Sequence, residues 1–375
     1  MEKKIVGLGV VGCGAIAIRA AFEHFKLGDV DDKIRIVACC DPVPGRAKAA
    51  AEKYNIPRYY ESYEELLEDS NVDAVTLCSP IGFHYEQGMQ ALRAGKHVHF
   101  NKTMATEVWE ADDLINLAKE KKLHIVASPG QMLYPEAQRT RRAILEGRLG
   151  KIAYIFGKHS FSSGVYHLNE KCRTGDDILA NINPTWYFKK PGGGPHYDVT
   201  VYFLHQLTGV MGPAKRVAAF SGQQIHELSF GGKTFKSEVD DSCAMLIDFG
   251  DGVYCTMLSV IAGAPFVCLT PDYFGTKGSI VAEKLDGKSL IYEGESLPGI
   301  TGEHDNMPEK HVFADILQLA DCIRENKDSI VSPEHARHVI EIIAASFESS
   351  KTNTIIELKT SFDPIPYEDL LEFKD

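Results

Sequence analysis

The first residues that could do chemistry form a glycine turn close to the start of the chain. Residues 12–17 read G-C-G-A-I-A, a G-x-G-x-x-A pattern. Gly12 can make the tight turn, Gly14 leaves the backbone open to a pyrophosphate, and the small Ala17 permits close packing of helix on strand. The helix that follows would direct its free N–H groups at the phosphates. We expect Gly12, Gly14, Ala15 and Ile16 to contact a dinucleotide, although a glycine-rich strand end turning into a helix would have the same pattern.

A carboxylate follows the second buried-strand pattern, which covers residues 34–40. Asp41 comes directly after it, where a nucleotide-binding fold places the acid that accepts hydrogen bonds from the adenosine ribose. It lies farther from the glycine turn than the roughly 20 residues usual for this pattern, and we interpret the charged stretch 28–32 as an insertion. An acid here repels a 2′-phosphate and favours NAD over NADP, whereas the nearby Arg46 would favour NADP. An ordinary turn aspartate is the alternative.

These residues need a parallel sheet to position them, and the first third of the chain predicts one. Strand and helix patterns alternate there, as a doubly wound sheet requires. After the first strand, the predicted strands are 34–40, 74–78, 97–100 and 124–127, and the predicted helices are 16–25, 44–54, 62–69, 84–94 and 107–121. We therefore assign residues 1–128 to a dinucleotide-binding domain.

From residue 129 the pattern changes to that of a second, α+β domain covering 129–375. Helices are predicted over 135–146 and 333–349, and between them strand patterns at 152–161, 216–221, 242–248, 253–261, 267–273 and 279–282. Long strands at short spacing predict a large, open, mostly antiparallel sheet. Because several strands alternate apolar positions and no further helices are predicted to cover them, we expect a homodimer or homotetramer formed through this sheet.

Composition excludes several classes of protein. The chain has 375 residues, of which 44% are hydrophobic and 25% charged, as in an ordinary globular protein with room for two domains. A net charge of −12 without a basic cluster argues against a nucleic-acid partner. The sequence shows neither a membrane span nor a signal peptide, so we expect a cytoplasmic protein with no membrane partner. Its nine cysteines are interpreted as reduced thiols, and the spacing of its fourteen histidines predicts no metal site.

Several further motifs resemble the Gfo/Idh/MocA family of sugar and cyclitol oxidoreductases, which includes glucose-fructose oxidoreductase and inositol dehydrogenase. The resemblance spans nearly the whole chain and rests on residues 12–17, 72–75, 79–80, 84, 94–98, 192–194, 198 and 275–279. It implies a Rossmann domain for the parallel sheet and NAD as the cofactor. It also implies that Ser79, Pro80 and His84 contact that cofactor.

The resemblance places Lys102 at the lysine of the family's Glu-Lys-Pro motif, which faces the nicotinamide. The motif here reads Asn101-Lys102-Thr103, so the acid and the proline are both replaced. A lysine beside a positively charged oxidised nicotinamide should have a lowered pKa, suited to taking a proton from a hydroxyl. We expect Lys102 to be catalytic, and Asn101 and Lys102 to contact the cofactor and Lys102 also the substrate.

The second-domain motif of many relatives is a glycine run, an aspartate and then a histidine. This chain has Gly194, Asp198 and Tyr202, so tyrosine replaces the histidine, as in the branch of glucose-fructose oxidoreductase and dihydrodiol dehydrogenase. The i, i+4 spacing would put Asp198 and Tyr202 on one helix face. There the phenol could relay a proton and the carboxylate could orient the substrate hydroxyl. A core aromatic is the alternative for Tyr202.

Two more residues are candidates for substrate binding. His205 follows Tyr202 on the same predicted face and could bind a sugar hydroxyl. Trp186 could stack on the apolar face of a pyranose or could be a packing residue. The polar and aromatic segment 159–191 is typical of a loop that shapes a pocket. Its histidines, His159 and His167, are interpreted as solvated loop residues in preference to ligands.

We therefore predict an NAD-dependent dehydrogenase that acts on a secondary hydroxyl of a sugar, glycoside or cyclitol, with Lys102, Tyr202 and Asp198 as its catalytic residues. A redox-neutral enzyme that cleaves glycosides through a transient 3-keto sugar and a retained NAD is the alternative. Net NADH accumulation distinguishes the first from the second. A non-catalytic sugar or nucleotide sensor on the same fold is a further alternative, which the retained Lys102 and Asp198 argue against.

Overall fold

The computed structural model describes residues 4–160, 166–261 and 270–374. In these residues one sheet has six strands, all parallel, in the order β3-β2-β1-β4-β5-β6. The strands are β1 (Val6–Val11), β2 (Ile34–Cys40), β3 (Arg58–Tyr60), β4 (Ala74–Leu77), β5 (His97–Phe100) and β6 (Ile125–Ala127). The order reverses between β1 and β4, which opens a crevice at the carboxyl ends of those two strands.

Helices connect these strands and cover both faces of the sheet. The central strands are apolar throughout because both their faces are covered; every residue of β1 and β4 is buried. The first helix starts as α1 (Ala15–Ala17), passes through a π-helical segment (Ile18–Phe22) and ends as α2 (Glu23–Phe25). The other helices of this part are α3 (Arg46–Tyr54), α4 (Tyr63–Glu68), α5 (His84–Arg93), α6 (Val108–Lys121) and α7 (Pro135–Leu145).

The second sheet has nine strands in the described residues, in the order β16-β15-β14-β13-β7-β12-β11-β8-β17. Its pairs are antiparallel except β7 with β12, which are parallel. The strands are β7 (Ile152–Ser160), β8 (Arg216–Gly222), β11 (Ser242–Gly250), β12 (Val253–Val260), β13 (Asp272–Gly275), β14 (Ser279–Val281), β15 (Lys284–Leu285), β16 (Lys288–Ser289) and β17 (Ile356–Glu357), and a separate hairpin pairs β9 (Glu227–Phe230) with β10 (Lys233–Lys236). The predicted strand positions 161 and 267–269 lie outside the described residues. The predicted fold class is confirmed.

Side chains alternate between the two faces of the second sheet. The inner face packs on helices α8 (Val201–Met211) and α10 (Pro333–Thr352), and this core includes Met245, Cys255, Leu204 and Ile342. The outer face presents large apolar side chains that are between 38% and 79% exposed, namely Tyr154, Phe156, Phe220, Leu246, Tyr254 and Leu258. The strand pattern therefore leaves one apolar face of the sheet exposed within the described part of the chain.

The sequence did not predict helix α9 (Lys310–Glu325), and this helix packs against the first sheet. Phe313, Ile316 and Leu317 pack in one core with Leu8 and Val10 of β1. The chain thus returns to the parallel sheet after building the second one. The domain boundary between residues 128 and 129 stays a prediction.

No helix in the described ranges has the length and apolarity needed to cross a membrane.

Candidate active site

The glycine turn has the geometry that a phosphate site requires. Gly12 has φ +87°, and a β-carbon there would lie 3.1 Å from backbone atoms of Cys78 and Ser79, so glycine is required for both reasons. No side chain of the described residues caps the helix that starts after Gly14. The turn therefore leaves backbone donors at a helix N-terminus, which suits an anionic ligand.

Asp41 fixes this turn from the end of β2. Its Oδ2 accepts a hydrogen bond of 2.9 Å from the Cys13 backbone N–H, and its Oδ1 accepts one of 2.9 Å from the Val43 N–H. The side chain is nearly buried, yet each carboxylate oxygen can accept a second bond. Its position at the strand end is the predicted one, and its role at a ribose stays a prediction.

A distant loop lies over the turn and engages Arg46. The guanidinium donates to the Ile178 and Asn181 carbonyls, both at 3.2 Å, and lies 3.5 Å from Asp41 Oδ1. The nearest side chain to a β-carbon built on Gly14 is that of Ile182, at an ordinary contact distance of 3.7 Å. The cradle is therefore covered by Ile182 but not filled, and these residues fit a dinucleotide whose phosphates rest on the turn.

The other residues predicted at the cofactor lie at the ends of β4 and β5. The Ser79 hydroxyl donates to Gln87, and Pro80 leads into a short 3₁₀ turn. Both ring nitrogens of His84 lie on backbone carbonyls, at 3.0 Å from Ser79 and 2.7 Å from Thr103. His84 thus ties together the two loops that follow these strands, including the loop of Lys102.

Asn101 and Lys102 follow β5 directly. The Asn101 side chain is buried, and its Oδ1 accepts a 2.9 Å hydrogen bond from the Lys102 N–H. This local bond sets the direction in which the chain leaves the strand. Lys102 then reaches across to the second part of the molecule.

The site is centred on the Asp198 carboxylate, which belongs to a π-helical turn from His196 to Thr200. Lys102 Nζ lies 2.9 Å from Asp198 Oδ1. His167 Nε2 lies 2.8 Å from Oδ2, and the Tyr166 hydroxyl donates to the same oxygen. Asp198 is only 4% exposed. Three donors from two separate segments therefore compensate one buried negative charge.

These contacts set the charges of the site. Burial alone would raise the pKa of Asp198, but Lys102 and His167 hold it far below its ordinary value. Burial alone would lower the pKa of Lys102, whereas Asp198 raises it well above its ordinary value. Lys102 and Asp198 are thus both ionised at neutral pH. A positive ring beside Lys102 would have to offset Asp198 before the amine could accept a proton.

Tyr202 lies beside the same amine. Lys102 Nζ is 5.3 Å from the centroid of the Tyr202 ring, within the range of a cation–π contact. The Tyr202 hydroxyl lies 3.2 Å from Nε2 of His311 in α9. Burial raises the pKa of Tyr202 although Lys102 opposes it, and burial lowers the pKa of His311 to about 4. The phenol is therefore protonated and faces a neutral imidazole at pH 7.

His167 is a site residue, so its interpretation as a solvated loop histidine is wrong. Its Nδ1 lies 2.7 Å from Glu170 Oε1, and its ring stacks on Tyr187 with centroids 4.0 Å apart. Glu170 in turn pairs with Arg173, whose NH2 is 2.7 Å from Oε2. The segment predicted to shape the pocket thus contributes a charged network that ends on Asp198.

None of the remaining candidates bonds to Asp198 in the described residues, although Trp186 lies next to the network. His205 is buried with its ring 4.7 Å from that of His335, and burial lowers its pKa to about 3. Trp186 stacks on Tyr187 with centroids 3.8 Å apart and packs partly into the core of the second sheet. His159 is also buried, with Nε2 2.8 Å from Ser259 Oγ, which corrects its interpretation as solvated. Substrate contact by His205 and Trp186 stays a prediction.

Sequence reasoning missed Tyr166, Glu170, Tyr187 and His311. The first three belong to a loop without a periodic pattern, so their spacing carried no signal. His311 stands at the start of α9, whose apolar residues repeat with helical spacing. That repeat could have predicted the helix, but not that it brings a histidine to Tyr202. Among the described residues, no cluster of histidine, cysteine and acidic side chains could hold a metal ion.

Comparison with known proteins agrees with the observed fold. Residues 6–128 match the family model of an oxidoreductase family with an NAD-binding Rossmann fold, and residues 141–358 match that family's C-terminal alpha/beta domain. Together the two matches cover most of the chain.

Individual relatives are distant in sequence. Trans-1,2-dihydrobenzene-1,2-diol dehydrogenase of Mus musculus is 24% identical over 335 residues, covering 87% of this chain and 90% of that protein. D-glucoside 3-dehydrogenase of Escherichia coli K12 is 27% identical over 259 residues, covering 67% and 69%. A solved levoglucosan dehydrogenase in complex with NADH is 18% identical, with a TM-score of 0.74 over 95% of this chain and 100% of that one. That last likeness shows the fold.

Proposed function

The chain belongs to the Gfo/Idh/MocA oxidoreductase family, with its NAD-binding Rossmann fold, and we propose that it is a dehydrogenase of a secondary hydroxyl on a sugar, glycoside or cyclitol. The observation that carries the proposal is the meeting of Lys102, Asp198 and Tyr202 in one buried cluster. The named relatives include a glucoside dehydrogenase and dihydrodiol dehydrogenases. They do not favour the redox-neutral alternative.

The chemistry needs one oxidant and one proton acceptor. When bound, the nicotinamide supplies the hydride acceptor for the carbinol carbon. Lys102 would accept the hydroxyl proton, because it follows β5 of the sheet that bears the glycine turn, meets Asp198 and Tyr202, and has a side chain that is only 16% exposed. Asp198 would hold the amine in place, and Tyr202 would donate to the substrate oxygen. Close positioning of these groups would supply much of the rate.

We propose NAD as the cofactor in preference to NADP. Asp41 places a carboxylate at the end of β2, where it would repel a 2′-phosphate. Arg46, the residue that could bind such a phosphate, already donates to two backbone carbonyls and lies against Asp41. Both features favour a free ribose 2′-hydroxyl.

We also propose that the protein is a homodimer or homotetramer assembled through the outer face of the second sheet. Phe220, Leu246 and Leu258 are 79%, 43% and 43% exposed there. A contiguous apolar face of this kind is typical of an interface. A cytoplasmic location is supported by the eight described cysteines, which are all free thiols.

The test of the proposed activity is the reduction of NAD by purified protein. We expect absorbance at 340 nm to rise with at least one member of a panel of glycosides, free sugars, cyclitols and vicinal diols. The product should be the corresponding ketone, formed in equal amount to NADH. Cleavage of a glycoside without net NADH would support the redox-neutral alternative. The proposal would be contradicted if the protein did not bind NAD and formed no NADH with any member of the panel.

A further inference from the structure

A histidine of helix α9 contacts the tyrosine of the proposed catalytic group. The Tyr202 hydroxyl lies 3.2 Å from Nε2 of His311, and the two rings meet edge to face with centroids 5.5 Å apart. Tyr202 belongs to α8, which packs under the second sheet, whereas His311 is the second residue of α9, which packs on the first sheet. The contact therefore joins Tyr202 to the sheet that carries the glycine turn.

The start of α9 is held by the helix that follows the glycine turn. Arg19 donates to Glu309 Oε1 at 3.1 Å, and His24 Nε2 lies 3.0 Å from the Pro308 carbonyl oxygen. Glu309 has φ +59°, a left-handed conformation that few non-glycine residues adopt and that persists where surrounding contacts impose it. His311, two residues farther on, therefore has a fixed position relative to the turn.

The surroundings of Nε2 determine which nitrogen of His311 carries the proton. Burial lowers the pKa of His311 to about 4, so at pH 7 the ring is neutral, with one donor nitrogen and one acceptor nitrogen. Oε2 of Glu309 lies 3.7 Å from Nε2, too far for a hydrogen bond but close enough for its charge to act. Because a carboxylate repels a nitrogen lone pair, Glu309 favours the tautomer with its N–H at Nε2.

This tautomer decides what the Tyr202 hydroxyl can do. A phenol has one O–H to donate, and its oxygen can also accept a hydrogen bond. If Nε2 of His311 donates to the Tyr202 oxygen, the phenolic O–H is free to point elsewhere. If Nε2 carried the lone pair, the phenol would donate to His311 and would have no proton for another acceptor. Burial raises the pKa of Tyr202, so its O–H is present at neutral pH.

We propose that His311 is a positioning residue, which donates from Nε2 to the Tyr202 oxygen and so leaves the Tyr202 O–H free to donate to the substrate oxygen. This inference rests on the proposed function, in which Tyr202 donates to that oxygen. His311 acts through Tyr202 and has no assigned contact with the substrate. It neither gains nor loses a proton during the reaction.

The contribution of His311 should appear in the transition state. As the substrate hydroxyl loses its proton to Lys102, negative charge develops on the oxygen, and a hydrogen bond from Tyr202 to that oxygen becomes stronger. A group that directs this hydrogen bond affects kcat more than KM. We expect loss of the His311 donor to lower kcat by roughly 3- to 10-fold, which is the effect of one net hydrogen bond.

The first test is a double-mutant cycle between His311 and Tyr202. H311F removes the donor and keeps a ring, so kcat should fall by roughly 3- to 10-fold, while KM for the substrate and the dissociation constant for NAD change by less than about twofold. In the Y202F background the same replacement should have no further effect. An equal fall of kcat in both backgrounds, or no fall in either, would overturn the proposal.

A conservative variant separates donation from packing. H311Q can place an amide N–H near the position of Nε2 and should keep kcat within about twofold of the wild type. H226F, at an exposed histidine, is the matched control and should behave as the wild type. If H311Q were as slow as H311F, donation to Tyr202 would not be the role of His311.

A second measurement does not depend on turnover or on the cofactor. ¹⁵N signals of the imidazoles, with His311 assigned by comparison with H311Q, report which ring nitrogen carries the proton. At pH 7 we expect Nε2 of His311 to be protonated and Nδ1 to be unprotonated. An Nε2 without a proton would make Tyr202 the donor in this contact and would overturn the proposal in the wild-type protein.

Failure of this proposal can be distinguished from failure of the proposed function. Wild-type protein that forms no NADH across the panel contradicts the proposed function, while the ¹⁵N signals still decide the tautomer of His311. Active wild type with an equally active H311F contradicts the role of His311 and leaves the dehydrogenase assignment in place.

Discussion

Replacement of Lys102 tests proton acceptance separately from charge. Arginine keeps the positive charge and can still pair with Asp198, but it cannot be deprotonated at any accessible pH. Methionine has a similar length but neither charge nor proton. We expect both K102R and K102M to be inactive if Lys102 accepts the hydroxyl proton. We expect only K102M to be inactive if the lysine supplies charge alone.

Replacing Lys102 should affect both kcat and the stability of the fold. Loss of a positioned acid–base group lowers kcat by roughly 10²–10⁴, or about 3–5 kcal/mol of barrier. Breaking a buried ion pair costs about 3–5 kcal/mol of stability when one charge is left alone. Asp198 keeps His167 and Tyr166 as donors in K102M, so we expect a smaller loss. K102R should be closer still to wild type in stability.

The assay combines NADH formation, NAD binding by calorimetry and thermal unfolding. Binding of NAD should change by no more than about threefold in either variant, because the turn, Asp41 and the first sheet are untouched. K151M, at an exposed lysine, is the control for loss of a positive charge. An active K102R would refute the assignment of Lys102 as the proton acceptor.

Three further predictions concern the cofactor, the assembly and the stability. D41A should raise KM for NAD by tenfold or more and shift the NADP/NAD preference towards NADP, measured by kcat/KM for each; an unchanged ratio argues against Asp41 at the ribose. F220E and L258E should lower the assembly state seen by light scattering while the fold remains by circular dichroism; an unchanged mass would place the interface elsewhere. Burial raises the pKa of Asp315 to about 7 in the folded protein. Because the ordinary pKa of an aspartate in the unfolded chain is about 4, the free energy of unfolding should fall by about 4 kcal/mol as the pH rises from about 4 to 7. D315N should remove this decline in thermal unfolding between pH 4 and 8; an identical decline in D315N would contradict it.

Local patterns predicted most of the parallel sheet. The glycine turn, the buried strands and the helices between them depend on neighbours in sequence, so they could be identified without a structure. The position of Asp41 after β2 follows from the same logic. Lys102, Asp198 and Tyr202 required the family resemblance, because a lone lysine or tyrosine has no pattern of its own.

Long-range contacts account for what was missed. His167 reaches Asp198 across 31 residues, through a loop whose conformation no periodicity specifies. Helix α9 lies about 300 residues from β1 along the chain, and only tertiary packing joins them. His205 has the predicted spacing from Tyr202, yet the ring lies buried against His335, because spacing gives a helix face and not what packs on it.

The pKa of Lys102 shows the same limit. The expectation of a lowered value considered the nicotinamide alone, whereas in the structure Asp198 is the strongest influence opposing burial and raises it. The carboxylate and the ring charge therefore act in opposite directions on one amine. Their balance sets the pH at which Lys102 can accept a proton.

A crystal structure with NAD and a bound sugar tests the central claim most directly. The account predicts pyrophosphate on the turn at Gly12 and Gly14, and a substrate hydroxyl within hydrogen-bond distance of both Lys102 Nζ and the Tyr202 hydroxyl, beside the nicotinamide. A nicotinamide bound away from Lys102, or a turn that Ile182 keeps closed to the phosphates, would contradict it.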